Sequence, residues 1–179
     1  MAHITGNRIT LREYRIEDLE SIRQWVNDPD IVDNLSDIFT YPQTLHSTES
    51  FLRMMIEGQT QSKGFIISEK ENLNYIGQID LHKLNWINRS AVLGIVIGRK
   101  DLLGQGYGGE AINLMKSFVF ETLNLNRLEL EVYDFNERAK NCYLSCGFKE
   151  EGRQRQKLFR NGKYVDVIMM SILADEYRK

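Results

Sequence analysis

Apolar positions recur along the chain with two periods, two residues and about three and a half, and the changes between them mark out the elements. Between Asn7 and Tyr14, Ile9 and Leu11 alternate with Thr10 and Arg12, which predicts an opening strand with one buried face. Leu19, Ile22, Trp25 and Val26 then follow the helical period behind the acidic Glu17, Asp18 and Glu20, and Pro29 is expected to end that helix. From Asn27 to Ser47 no period holds, so a loop is expected. Ser47 to Ile56 returns to helix with Phe51, Leu52, Met55 and Ile56 on one side and Ser47 or Ser50 as the cap. After Gly58 to Gly64, three strands are predicted: Phe65 to Ser68, Tyr75 to His82 with a bulge at Gly77, and Ser90 to Ile97. Asn72, Asn74 and Asn85 to Asn88 supply their turns.

Ala111, Ile112, Met115, Phe118 and Val119 give the next helix, and Arg127 to Tyr133 alternates strictly. A short helix from Glu137 to Ser145, closed by Gly147, leads to Phe148–Phe159 and Tyr164–Leu173, joined by the hairpin signal Asn161-Gly162. The succession predicts a mixed α/β fold: a mostly antiparallel twisted sheet with flanking helices and a C-terminal hairpin. One right-handed parallel βαβ unit is expected, from Val92 to Tyr133. No repeat or linker divides the sequence, so residues 1–179 are expected to form a single domain.

Composition narrows the function by exclusion. The chain is 42% hydrophobic and 27% charged with a net charge of -2, globular values without the basic excess that nucleic acid or an anionic membrane attracts. No apolar stretch reaches membrane-spanning length, and Met1 to Gly6 lacks the regions of a signal peptide, so a cytoplasmic protein is expected. Cys142 and Cys146 lack the second pair a zinc site needs, and His3, His46 and His82 lie far apart. Reduced thiols and no metal site are expected.

The stretch from Ile95 to Ala111 changes that picture. An apolar strand passes through Gly104, Gly106, Gly108 and Gly109 into an amphipathic helix. Such glycines let backbone N–H groups, together with those of the helix's first turn, converge on phosphate oxygens. A Walker P-loop would need Lys-Ser/Thr after the last glycine, where Glu110 and Ala111 stand. Gly104, Gly106 and Gly109 satisfy G-x-G-x-x-G formally, with Asp134 as a ribose ligand, but five residues separate strand from glycines and no further βαβ units follow.

A second constellation lies downstream: Asn136, Ala139, Tyr143, then Gly147-Phe148, in the pattern N-x-x-A-x-x-x-Y-x-x-x-G-F. Singly these residues read as a helix cap, a packed aromatic and a C-terminal cap. Jointly, in this order behind the glycine loop, they resemble the GNAT superfamily of acyl-CoA N-acyltransferases, whose motif A, Arg/Gln-x-x-Gly-x-Gly/Ala, matches at Gly106 and Gly108. Ile9-Thr10-Leu11-Arg12, Asp18-Leu19-Glu20 and Asn161 to Asp166 resemble the branch of ribosomal-protein N-terminal and spermidine/spermine N-acetyltransferases.

The resemblance implies acetyl-CoA as acyl donor, held by the amides of Leu103, Gly104, Gln105, Gly106, Tyr107, Gly108 and Gly109. The fourth and fifth main strands should splay apart, leaving the N–H of Ile95 or Ile97 for the thioester oxygen. Tyr143 would be the general acid at the sulfur, and Asn136 would contact the pantetheine arm or a water beside it. Leu103 stands where motif A has Arg or Gln, and Val92 where many relatives carry Glu, so the general base is unassigned. Asp80, His82 and Asp134 are candidates to reach the amine. The loop carrying Asp28, Asp30, Asp33 and Asp37 between Ile31, Leu35, Phe39 and Tyr41 is a candidate to recruit a cationic acceptor. The expected reaction is direct acetyl transfer to a primary amine, on a peptide or protein N-terminus or a cationic small molecule such as a polyamine. The alternative is a non-catalytic acyl-CoA-binding module. A longer acyl donor and homodimer formation stay open.

Overall fold

The computed structural model describes residues 3–179; Met1 and Ala2, part of the stretch read for a signal peptide, lie outside the described residues. The elements in order are β1 (Ile4–Thr5), β2 (Ile9–Arg12), α1 (Asp18–Trp25), α2 (Pro29–Val32), α3 (Leu45–Glu57), β3 (Lys63–Glu69), β4 (Tyr75–Asn85) and β5 (Ser90–Ile97). There follow α4 (Tyr107–Ser117), extended by a π turn over Phe118–Thr122, then β6 (Arg127–Tyr133), α5 (Glu137–Ser145), β7 (Lys149–Arg160), β8 (Lys163–Leu173) and α6 (Ala174–Tyr177). Short 3-10 turns occupy Asp37–Thr40 and Lys100–Leu102. The eight strands form one open sheet in the order β1-β2-β3-β4-β5-β6-β8-β7. All neighbours are antiparallel except β5 and β6, the expected parallel pair joined through α4.

Helices cover both faces. On one, Ala111, Ile112, Met115 and Val119 of α4 pack on Ile67, Ile79, Leu81, Leu93, Leu128 and Leu130. On the other, Ile22 and Trp25 of α1, Ile31 and Val32 of α2 and Leu52 of α3 pack with Tyr14, Ile66 and Tyr75. This double covering corrects the reading of β2 as a half-exposed strand, because Thr10 and Arg12 are as buried as Ile9 and Leu11. Arg12 is tolerated there because its guanidinium donates to both carboxylate oxygens of Asp18, at 2.9 and 2.6 Å, which also ties β2 to the first turn of α1.

Three local expectations change. Asn27–Ser47 is not plain loop: Asp28 caps α2, and Pro29 both follows α1 and opens α2, where its missing N–H has no cost. Thr44, not Ser47, caps α3, its side chain accepting from the Ser47 N–H. The bulge in β4 falls at Ile76, since Ile67 pairs with Gly77 and Ser68 with Tyr75. Neither β1 nor α6 was foreseen, each being too short to show a period. The hairpin formed as expected, with Asn161 and Gly162 both at positive φ.

Candidate active site

Ladder bonds join β5 to β6 only at Ser90, Ala91 and Val92, opposite Arg127, Leu128 and Glu129. Beyond Val92, β5 keeps only its β4 partner as far as Ile97, so the edge facing β6 is unpaired and the two strands diverge. A cavity of about 410 Å³ occupies the divergence. Ile95, Val96 and Ile97 form one wall, the glycine loop and the start of α4 the end, and Asn136, Ala139, Cys142 and Tyr143 the opposite side. Ile31, Asn34 and Leu35, from the segment after α1, close it from the other face of the sheet.

The glycine loop earns its composition at two positions. Gly104 and Gly106 have φ of +75° and +86°, the left-handed region, and Gly106 is the residue on which α4 starts. The first bond of α4 is from the Glu110 N–H to the Gly106 carbonyl, which leaves the amides of Tyr107, Gly108 and Gly109 without an intrahelical partner. A side chain on Gly108 would project toward Ile97 across the cavity. Of the other residues expected to offer amides, Leu103 and Gly104 line the cavity and Gln105 does not. The Leu103 N–H is engaged by the Lys100 carbonyl, because the 3-10 turn closes on it. Gln105 turns away from the cavity, its side chain donating to the Asp101 carbonyl.

Residues outside the glycine pattern hold the loop. Arg8 lies over the Tyr107 ring at 4.4 Å and donates to the Gln105 carbonyl and the Glu110 carboxylate. Glu110 in turn accepts the backbone N–H groups of Arg8 and Ile9. No spacing rule connects residue 8 to residue 110, so this tie was not legible in the sequence.

Asn136 is the cap of α5, accepting from the Ala139 N–H at 3.1 Å, and it also lines the cavity. The bland and the functional readings of this residue are therefore compatible, with the carbonyl oxygen serving the helix. Tyr143 lines the cavity one turn beyond Ala139. Burial first, and then the Cys142 and Cys146 thiols, push its hydroxyl well above the ordinary phenol range, so it stays protonated and can only give a proton.

The six acceptor-side candidates do not line the cavity. Asp30, with Asp28, is paired with Lys100, and Asp37 with Arg160; Asp33 is exposed and its backbone carbonyl accepts from Arg160. Those two cations hold the loop at both ends, and between them Ile31 and Val32 are buried while Ile31, Asn34 and Leu35 face the cavity. Asp134 lies 3.8 Å from Arg153. Asp80 is buried and accepts from the Tyr14 hydroxyl at 2.5 Å, its pKa raised by burial to about 7. His82 is half-buried, with Nδ1 bonded to Ser62 Oγ at 2.9 Å. Among the described residues no group of three His, Cys, Asp or Glu could hold a metal ion, and no helix is long and apolar enough to cross a membrane.

Residues 8–149 match the family described as Acetyltransferase (GNAT) domain. The chain belongs to the GNAT acetyltransferases. It is 31% identical over 173 residues to Spermidine N(1)-acetyltransferase of Vibrio cholerae, spanning 96% of both chains. To Putative ribosomal N-acetyltransferase YdaF of Bacillus subtilis it is 35% identical over 101 residues, 56% of this chain and 55% of that one. The crystal structure of spermidine N-acetyltransferase from Vibrio cholerae in complex with CoA and spermine superposes with a TM-score of 0.85 at 29% identity, over 97% of this chain and 100% of that one. This GNAT chain is thus an N-acetyltransferase that uses acetyl-CoA to acetylate an amine. The site fits that donor: free amides at a helix start suit a pyrophosphate, and a slot with an unpaired strand edge suits an amide-bearing pantetheine arm.

Proposed function

We propose that residues 1–179 act as one catalytic domain in which the amine attacks the acetyl thioester directly, in the gap between β5 and β6. The carrying observation is that the glycine loop, the unpaired edge of β5 and Tyr143 all border one cavity. Acetyl-CoA supplies an acyl carbon already activated as a thioester. The amides of Tyr107, Gly108 and Gly109 hold its pyrophosphate. The N–H of Ile95 or Ile97 faces the thioester oxygen, where negative charge grows on attack. Tyr143 protonates the departing sulfur, and Asn136 orients the pantetheine arm through the amide nitrogen that its capping bond leaves free.

For the acceptor, spermidine and spermine come first, on the strength of the relatives. A peptide or protein N-terminus is the second reading, because Asp28, Asp30 and Asp37 are already matched by Lys100 and Arg160 and offer little free negative charge to a polycation. The reaction is placed in the cytoplasm, where acetyl-CoA is made and used, and a homodimer is the assembly to test for by light scattering. The deciding experiment measures CoA thiol released from acetyl-CoA with spermidine, spermine and N-terminal peptides. Amine-dependent release identifies the acceptor class. Tight acetyl-CoA binding with no release from any amine would make the chain a binding module instead.

A further inference from the structure

The proposed function leaves the proton of the amine without a destination, and the face of β4 opposite α4 offers one. Along that face Gln78, Asp80 and His82 stand directly across from Val96, Gly94 and Val92 of β5. Val96 lines the cavity, and Val92 is the last residue of β5 paired to β6, so this polar row runs beside the gap down to its apex. Both strands next to β4 give up a side chain to make room for the row. A Cβ on Gly64 of β3 would fall 1.8 Å from Asp80 Oδ1, and a Cβ on Gly94 of β5 would fall 2.7 Å from His82 Nε2. The two groups therefore lean in opposite directions: the Asp80 carboxylate toward β3 and the Tyr14 hydroxyl, away from the gap, and the His82 ring over β5, toward it. The Gln78 carbonyl oxygen is buried without a partner among the described residues, an acceptor in the same row for a further N–H.

Resting on the acetyltransferase reading, we propose that His82 is the base of the reaction, acting from one strand behind the cavity wall: its Nε2 receives, through a bridging water, the proton that the acceptor nitrogen loses as it attacks the thioester. The bond from Ser62 fixes the other nitrogen, and with Nδ1–H donating to Ser62 Oγ the Nε2 lone pair faces Gly94. The amine nitrogen bonds to the acetyl carbon and the C–S bond breaks. The proton made acidic on that nitrogen passes through the water to Nε2 and on to solvent, while Tyr143 gives a proton to sulfur and recovers one from solvent. A base here must be neutral near pH 7. Burial, and then the Lys83 charge, lower the imidazole pKa, so the ring meets that demand. The other ionisable groups around it are Asp80 on the same face of β4, with Tyr14 behind it, and Glu129 on β6 across Val92, which pairs with Arg127.

The test compares His82→Gln, Ser62→Ala and Asp80→Asn with the best acceptor of the panel. His82→Gln should lower kcat by about 10²- to 10⁴-fold and leave the acetyl-CoA KM within about twofold. The fall of kcat/KM on the acid side of neutrality, where the imidazole takes up its proton, should disappear in His82→Gln and persist in Asp80→Asn. Ser62→Ala, which keeps the ring but frees Nδ1, should show a smaller loss and a displaced acid limb. Independently of turnover, imidazole ¹⁵N resonances should show His82 titrating below the ordinary histidine range and shifting when the amine joins the CoA complex. Near-normal kcat in folded His82→Gln with chemistry rate-limiting overturns the role of His82 alone. An acid limb that survives His82→Gln and vanishes in Asp80→Asn assigns the proton to Asp80. If the unmodified chain releases no thiol with any amine, the acetyltransferase reading falls and His82 with it.

Discussion

The two sides of the cavity are built from different materials. The donor side, from Gly104 to Gly109 and on through α5, is built around backbone amides and glycines, with Tyr107, Asn136 and Tyr143, contributed by successive stretches of chain. The acceptor side consists of the segment after α1, held by Lys100 some 70 residues away and by Arg160 more than 120 residues away. Backbone recognition demands particular φ angles and the absence of side chains, and those demands are written locally as glycines. Side-chain recognition depends on which long-range partner claims a charge first. The donor half can therefore be kept while the acceptor half is remodelled, which is how one reaction serves many amines.

Four substitutions probe that contrast, beginning with the largest effect. Tyr143→Phe keeps the ring against Phe148 and removes the only proton the residue can give. kcat should fall by about 10²- to 10⁴-fold with acetyl-CoA affinity and thermal stability nearly unchanged. An intact kcat, with chemistry shown to be rate-limiting, ends the assignment.

Next comes Arg12→Met on the acceptor side, where α1 is anchored to β2 by a buried ion pair. Leaving Asp18 buried without its partner should cost about 3 to 5 kcal/mol in denaturant unfolding. A loss under about 1 kcal/mol would place that pair among ordinary surface bridges.

Third is Gly108→Val on the donor side, a clean probe because Gly108 has no positive φ and a Cβ there meets only Ile97, at 3.9 Å. Acetyl-CoA affinity should weaken by roughly 10²-fold, the scale of an ångström's misplacement, while the melting temperature holds. Gly106→Val is a poorer probe, since at φ +86° any side chain strains the turn whether or not a ligand is bound. Unchanged calorimetric affinity in Gly108→Val would move the pyrophosphate elsewhere.

Smallest is the joint change Asp30→Asn, Asp33→Asn and Asp37→Asn. Because Lys100 and Arg160 already neutralise two of these carboxylates, the acceptor KM should change by less than about fivefold, the worth of one exposed ion pair. A larger rise in KM that salt abolishes would restore the recruiting role expected from the sequence.

What could be read in advance follows the same division. Leu128, Leu130 and Val132 show their buried face through alternation, and Gly106 and Tyr143 stand out through motif spacing, because in each case neighbours in sequence share one task. Where two residues compete for one task the sequence is ambiguous. Thr44 and Ser47 are both good caps three positions apart, and only the folded turn shows that Thr44 serves Ser47. Asp30 and Asp37 looked free because nothing near them in the chain is basic. The row on β4 was visible only as the separate candidates Asp80 and His82, since the glycines that give them opposite leanings lie on two other strands.

The tie between Arg8, Ile9 and Glu110 has a dynamic consequence. These bonds cross from the strand next to the sheet edge to the helix whose first turn carries the cofactor loop. Local opening of that edge must release the Glu110 carboxylate and loosen the loop, so a ligand that binds only the ordered loop must suppress the opening. Hydrogen exchange at the Arg8 and Ile9 amides should therefore slow when acetyl-CoA is added, although neither residue lines the cavity. In this way occupancy of the donor slot is recorded about a hundred residues upstream in the chain, at a strand that takes no part in the chemistry.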